Sequence, residues 1–119
     1  MRRVEKPWGY EEIWAECSAY VGKLLVIRAG HRLSLQHHVV KEETIRLNSG
    51  VMELELENAR GELETHRVLP GEAYHIHPGK KHRMKAIVDC EVLEVSTPHL
   101  KDVVRHSDDY GREGISDSE

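Results

Sequence analysis

The segment Met52-Glu53-Leu54-Glu55-Leu56-Glu57 alternates apolar and acidic residues along its whole length. Successive side chains of a β-strand point to opposite faces, so this alternation predicts a strand with one face in a core and the other in water. Turn residues flank the segment, with Ser49-Gly50 before it and Asn58-Ala59-Arg60-Gly61 after it. The segment therefore predicts one strand of an antiparallel sheet.

Six further short runs show partial alternation with the same period and are also predicted to be strands. They cover residues 20–29, 32–38, 43–48, 62–69, 72–77 and 90–96. Pro70-Gly71 and Pro78-Gly79 mark tight turns between them, and no convincing helical period occurs before Leu100. The pattern predicts an all-β sandwich or small barrel of about eight to ten strands, with no core helix. Any C-terminal helix is expected to be short and to lie near residues 100–104.

The length of 119 residues favours a single domain over residues 1–119. We expect its core to span residues 6–105, followed by an acidic tail at 106–119 whose last residues are disordered. No stretch approaches the roughly 20 apolar residues of a membrane helix, so membrane spanning is not expected. The first residues lack the apolar run of a secretory signal, which makes the cytoplasm the expected location.

The formal net charge is −4, and residues 107–119 alone carry five carboxylates against Arg112. The remaining body is nearly neutral and has no basic face, so nucleic acid is not an expected partner. Cys17 and Cys90 lie in separate apolar segments without C-x-x-C spacing, and we expect them to be reduced, buried thiols.

Nine histidines and no phenylalanine indicate a polar site. In a strand, Gln36 and His38 share one face while His37 points to the other. A carboxylate five residues after His38, and His82 after the 78–81 turn, could reach the same cavity. Such nitrogen and oxygen ligands suit Zn, Mn, Fe, Co or Ni, whereas a single histidine in a loop is commonly only a surface residue.

Two longer motifs and their spacing carry a family resemblance. They are Gly30-His31-Arg32-Leu33-Ser34-Leu35-Gln36-His37-His38 with Glu43 and Gly50, and Pro70-Gly71-Glu72-Ala73-Tyr74-His75-Ile76-His77-Pro78-Gly79-Lys80-Lys81-His82-Arg83. These motifs resemble the paired motifs of the cupin superfamily, and more narrowly the cupin domain of type II mannose-6-phosphate isomerases and related small cupins. Residues 6–9 and 103–112 are similar to the flanks of that group.

The resemblance implies a double-stranded β-helix of the jelly-roll type and a metal site. The implied ligands of a divalent ion are Gln36, His38, Glu43 and His82. Such an ion can act as a Lewis acid, which suits an isomerase or epimerase acting on a sugar or sugar phosphate. A homodimer paired through sheet edges is also implied, although His37, Arg46 and Asn48 make one outer face too polar for a large apolar interface.

The chain departs from the isomerase pattern around the glutamate. Related domains carry a stretch of the type H-R-x-E-H, whereas residues 39–44 read Val-Val-Lys-Glu-Glu-Thr. Other cations could still contact a phosphate, although exposed lysines and arginines near a turn are commonly only solvated charge. They are Arg32, Lys41, Lys80, Lys81 and Arg83. The candidate catalytic residues are His77, Lys41 and Arg32, although His77 could instead be a fifth ligand or, more simply, a rim residue. The alternative functions are a non-catalytic metal- or small-ligand-binding cupin and a cupin dioxygenase.

Overall fold

A computed structural model of the chain describes residues 2–115, which form two six-stranded antiparallel sheets around a shared core. The strands are β1 Arg2–Lys6, β2 Gly9–Glu16, β3 Val21–Ile27, β4 Leu35–His37, β5 Glu43–Ser49, β6 Met52–Glu57, β7 Leu63–Val68, β8 Ala73–Ile76, β9 His82–Ala86, β10 Cys90–Ser96, β11 Val104–Ser107 and β12 Gly114–Ile115. The first sheet has the order β1-β2-β3-β10-β5-β8 and the second β12-β11-β4-β9-β6-β7. This is the cupin fold, and the predicted fold class is confirmed.

The alternating segment that begins at Met52 is β6, which lies between β7 and β9 in the second sheet. Met52 and Leu54 are fully buried, while Glu53 and Glu55 are only partly covered. The predicted inward face of this strand is confirmed. All seven segments predicted as strands contain a strand of the structure.

Residues 2–115 form twelve strands, more than the eight to ten expected. Five of these strands were not among the predicted segments, namely β1, β2, β9, β11 and β12. Two of these strands lack the apolar alternation that predicts a strand, because polar or charged residues occupy their inward positions. In β2 the side chain of Glu11 is buried two residues before Ile13, and β9 begins with buried His82 and Arg83. Within residues 2–115 there is no helix, and residues 100–101, where a short helix was expected, form a turn.

The space between the sheets has an apolar half and a polar half. The inward residues of β5, β9 and β10 are apolar at one end of each strand and polar at the other, and β3 contributes buried Lys23 between Val21 and Leu25. The register brings the polar ends together, since Glu94 of β10 lies opposite Lys23 of β3, and Ser96 lies opposite Glu43 of β5. The apolar half provides the hydrophobic stabilisation, and the polar half is the position of the candidate site.

Part of the segment expected to be an acidic tail pairs in the second sheet, since residues 106–107 belong to β11 and residues 114–115 form β12. Strand β11 pairs with β4, and beyond it Asp109 binds Arg32 at 2.7 Å and Tyr110 Oη lies 2.8 Å from His31 Nδ1. Local sequence polarity did not show these contacts, because their partners lie more than 70 residues away. The disorder predicted for the last residues concerns 116–119, which lie outside the described residues.

Both cysteines are free, as predicted, but Cys17 is exposed and only Cys90 is buried. The expectation of a buried thiol at Cys17 is therefore wrong, because this residue follows the end of β2 in a surface turn. Within the described part of the chain, no helix has the length and hydropathy needed to cross a bilayer.

Candidate metal centre

Strand pairing directs the four predicted ligands into the polar half of the interior. Gln36 of β4 lies directly opposite His82 of β9, and residues paired in this way share one face of a sheet. Glu43 opens β5 on the facing sheet, and His38 follows β4 directly. All four are buried, with 1–2% of each residue exposed.

The ligand atoms of His38, Glu43 and His82 lie within 4.8 Å of one another. Glu43 Oε1 is 3.3 Å from His82 Nε2 and 3.8 Å from His38 Nε2. Both imidazoles therefore present the same ring nitrogen to one carboxylate oxygen. Such a convergence of two nitrogens and an oxygen is suited to one metal ion.

The opposite ring nitrogens hold these imidazoles in place. His38 Nδ1 donates to the carbonyl oxygen of Asp102 at 2.6 Å, and His82 Nδ1 donates to that of Lys80 at 3.0 Å. A carbonyl can only accept, so each Nδ1 carries the proton and each Nε2 directs a lone pair towards Glu43. Hydrogen bonds of this kind fix the tautomer and orientation of metal-binding histidines.

Asp102 also fixes the loop between the ligand residues. Its carboxylate accepts hydrogen bonds from the backbone N–H groups of Val39, Val40 and Lys41 at 2.7–3.0 Å. Burial alone would raise the pKa of the Asp102 carboxyl, but these three hydrogen bonds lower it below its ordinary value. One residue of the C-terminal segment thus orients His38 and shapes the loop leading to Glu43.

Two buried acceptors indicate that the residues fit a metal. Gln36 Oε1 and His38 Nε2 make no hydrogen bond within residues 2–115, although Gln36 Nε2 donates to Ser34 Oγ at 3.1 Å. A buried acceptor without a partner is costly, and a cation would compensate both. An amide oxygen, two imidazoles and a carboxylate form a donor set for a divalent transition metal.

A buried ion-pair network adjoins this group. Lys41 Nζ lies 3.1 Å from Glu43 Oε2 and 3.1 Å from Glu94 Oε2, and all three side chains are inaccessible. Burial acts to raise the pKa of Glu43, but the Lys41 charge lowers it well below its ordinary value. Glu43 is therefore a carboxylate, the form that a metal ligand requires.

The structure separates the three predicted catalytic residues. Lys41 lies beside the candidate ligands, whereas Arg32 binds Asp109 on the outside of the second sheet. His77 is exposed, with Nδ1 3.8 Å from Glu42 Oε2. Among the other cations considered for phosphate, Lys80 donates to the carbonyl of Asn58, and Arg83 donates to the carbonyls of Leu33 and Ser107.

Sequence reasoning missed Glu11 and Glu94 as interior charges. Glu11 pairs with buried Lys23 at 3.4 Å, and Glu94 pairs with Lys41. The signal was present in the strand period, because Glu94 follows Val92 by two residues and so shares its inward face. A charged residue on an apolar strand face thus marked the polar half of the interior.

The family described as mannose-6-phosphate isomerase C-terminal matches residues 1–108. The chain belongs to this family. The search of curated proteins found no match to the chain.

Solved structures share the fold of this family member. KdgF from Halomonas sp. has a TM-score of 0.73 at 20% identity, covering 82% of this chain and 88% of that chain. The capsular polysaccharide assembling protein CapF from Staphylococcus aureus has a TM-score of 0.79 at 13% identity, covering 89% and 31%. Oxalate decarboxylase from Lactobacillus farciminis has a TM-score of 0.75 at 16% identity, covering 88% and 33%. At these identities the similarity supports the fold alone.

Proposed function

We propose that this cupin binds one divalent metal ion through Gln36, His38, Glu43 and His82, and isomerises or epimerises a sugar or sugar phosphate. The observation that carries the metal site is the pair of Nε2 atoms directed at Glu43 while both Nδ1 atoms are held by carbonyls. The sugar class is supported by the family to which the chain belongs. The substrate is accordingly a small molecule.

The bound ion would supply Lewis-acid polarisation of a substrate carbonyl or hydroxyl oxygen. Isomerisation also requires a group that moves a proton between neighbouring carbons. Lys41 Nζ lies 3.1 Å from Glu94 Oε2 as well as from Glu43 Oε2. With Glu43 serving as a metal ligand, Glu94 is the carboxylate that can take the ammonium proton, which leaves a neutral amine to accept the proton from one substrate carbon and return it to the next. His77 and Arg32 contact Glu42 and Asp109 instead, and we assign the proton transfer to Lys41.

A second candidate function is a metal-binding cupin without catalysis. The near-complete burial of all four ligands favours it, because a sugar must reach the metal to react. In that case the ion would stabilise the polar half of the interior by neutralising the buried acceptors. The two candidate functions require the same four metal ligands, and they differ in whether the protein converts a sugar substrate.

The test begins with metal analysis of the purified protein, followed by a sugar-phosphate isomerisation assay with oxygen uptake measured in parallel. We expect a bound divalent metal, isomerisation and no oxygen uptake. Metal without turnover of any sugar tested would favour the non-catalytic function, and substrate-dependent oxygen uptake would favour a cupin dioxygenase. Absence of any specific metal binding would overturn both metal-based proposals.

Three histidine variants test the ligand set. His38→Ala and His82→Ala should lose the metal, because each removes one of the two Nε2 ligands. His37→Ala is the matched control, since His37 Nδ1 contacts His106 Nε2 at 2.7 Å away from the site. Loss of metal from the His37 variant with retention in the His38 variant would show that the ligand assignment is wrong.

A further inference from the structure

A second group of metal-binding side chains lies on the outer surface of the first sheet. It consists of Glu42, His75 and His77, which we call the outer cluster, and its ligand atoms lie within 4.8 Å of one another. Glu42 Oε2 is 2.6 Å from His75 Nε2 and 3.8 Å from His77 Nδ1. The two imidazole rings meet edge to face with centroids 4.4 Å apart.

The register of β5 and β8 creates this cluster and separates it from the interior. Glu43 pairs with Ile76, and both are buried between the sheets. Because neighbouring strand residues face opposite sides, Glu42 and His77 continue this ladder on the outer face, next to the Thr44–His75 pair. The outer cluster is therefore distinct from the ligand set around Glu43.

Contacts from neighbouring residues hold the outer cluster in position. Thr44 Oγ1 lies 3.0 Å from His75 Nδ1, which leaves His75 Nε2 directed at Glu42. The backbone of Glu42 is fixed on both sides by Thr97, through its N–H to Thr97 Oγ1 at 3.1 Å and its carbonyl to Thr97 N–H at 3.0 Å. A hydrogen-bonded partner on the second ring nitrogen is the usual support of a metal-binding histidine.

We propose that the outer cluster is a second site for a divalent transition metal such as Zn²⁺, with Glu42, His75 and His77 as its ligands and water in the remaining positions. Two imidazoles and one carboxylate select such ions over Mg²⁺ or Ca²⁺, which prefer oxygen ligands alone. The side chains of Glu42, His75 and His77 are 44%, 44% and 67% exposed, so the ion enters directly from solvent. On binding, the ion takes the place of the hydrogen bond between His75 Nε2 and Glu42 Oε2.

Equilibrium dialysis against Zn²⁺ at neutral pH tests the proposal with the full chain. The His75→Ala/His77→Ala double variant should bind one equivalent less than the unmodified protein. His106→Ala is the matched control, because this exposed histidine lies in β11 of the second sheet against His37, away from the cluster, and should leave the stoichiometry unchanged. Equal Zn²⁺ binding by the double variant and the unmodified protein would overturn the proposal.

Imidazole ¹⁵N resonances identify the residues that take up the ion and separate this site from the interior one. In a His38→Ala chain, Zn²⁺ should still shift the ring resonances of His75 and His77, and Mg²⁺ should not. Shifts confined to other histidines, such as His37 and His106, would overturn the assignment. Because this readout does not use the interior ligands, the outer cluster can pass the test even if the interior site proves empty of metal or catalytically inactive.

Discussion

Lys41 shows how strongly the chemistry of one residue depends on its position. The residue precedes the acidic pair Glu42-Glu43 and looks like surface charge in the sequence, yet its ammonium group is buried between Glu43 and Glu94. The positive charge of Lys41 stabilises both carboxylates in the interior. Removing the charge leaves two buried carboxylates close together.

We expect Lys41→Met to lower the free energy of unfolding of the metal-free protein by roughly 3–5 kcal/mol, the usual effect of breaking a buried ion pair. Urea unfolding followed by circular dichroism measures the change. Lys101→Met, at an exposed position, is the control and should change stability by less than about 0.5 kcal/mol. Equal stabilities for the two variants would contradict the ion-pair network. Added Zn²⁺ should partly restore the Lys41 variant by supplying the missing positive charge.

The turn between β5 and β6 requires glycine for two reasons. Gly50 has a φ of +97°, and a Cβ at this position would lie 2.3 Å from the carbonyl oxygen of Asp89. Gly61, in the turn between β6 and β7, has a similar φ of +78°, but a Cβ there would approach nothing closer than 3.7 Å. The two turns therefore share the backbone strain and differ in the steric clash.

Gly50→Ala should consequently destabilise the protein more than Gly61→Ala. The Gly61 variant should lose about 1 kcal/mol through the left-handed backbone alone. The Gly50 variant should lose at least about 2 kcal/mol more, because the opposing backbone near Asp89 has to move. Thermal unfolding of both variants gives the comparison, and similar melting temperatures would count against the tight packing of this turn.

The segment after β11 depends on a local ion pair. Asp108 has an inaccessible side chain and accepts hydrogen bonds from Arg112 N, Nε and Nη2 at 2.8–3.0 Å. Burial acts to raise the pKa of the Asp108 carboxyl, but the hydrogen bonds from Arg112 lower it below its ordinary value. Its contribution to stability is therefore fully present above the unfolded-state pKa of about 4, and is lost as the pH falls through the lower folded-state pKa.

The variant Asp108→Asn should lower the free energy of unfolding by about 2 kcal/mol at neutral pH, since it removes charge-assisted hydrogen bonds. The difference from the unmodified protein should stay constant down to about pH 5 and shrink below about pH 4. Urea unfolding across this range measures it. A difference that grew with acidity would show that the carboxyl is not stabilised in its ionised form.

At the scale of the whole molecule, the outer face of the first sheet carries more apolar surface than the sequence suggested. Arg46 and Asn48 are exposed there as expected, but the expectation that His37 shares this face is wrong, because His37 lies in β4 of the second sheet. Trp14 and Val95 are also 54% and 53% exposed. The expected polarity was inferred without β2 and β10, which add these apolar residues. The face is thus mixed in character.

The homodimer stays a prediction. The edges available for pairing are β1 and β8 in the first sheet and β12 and β7 in the second. Light scattering at micromolar concentration should give a mass of twice the 13.7 kDa chain. A monomeric mass under these conditions would contradict the prediction.

Much of the fold and of the candidate site was accessible from the sequence. Alternation along β6, the turn residues around it and the parity of Gln36 and His38 depend only on local chain geometry, which the period of a strand dictates. The spacing of the paired motifs then pointed to the family that the match over residues 1–108 shows. Strand β2 was not predicted, because the alternation used to find strands assumes an apolar inward face and β2 has buried Glu11 on that face.

Only the tertiary structure decided which charged groups meet. Lys41 and Arg32 look alike in the sequence, but one lies in the interior beside Glu43 and the other binds Asp109 on the surface. His77 joins Glu42 on the outer face because the pairing of β5 with β8 places them together. Each of these outcomes depends on the register between strands distant in sequence, and a side chain's chemistry follows from the neighbours and burial that this register imposes.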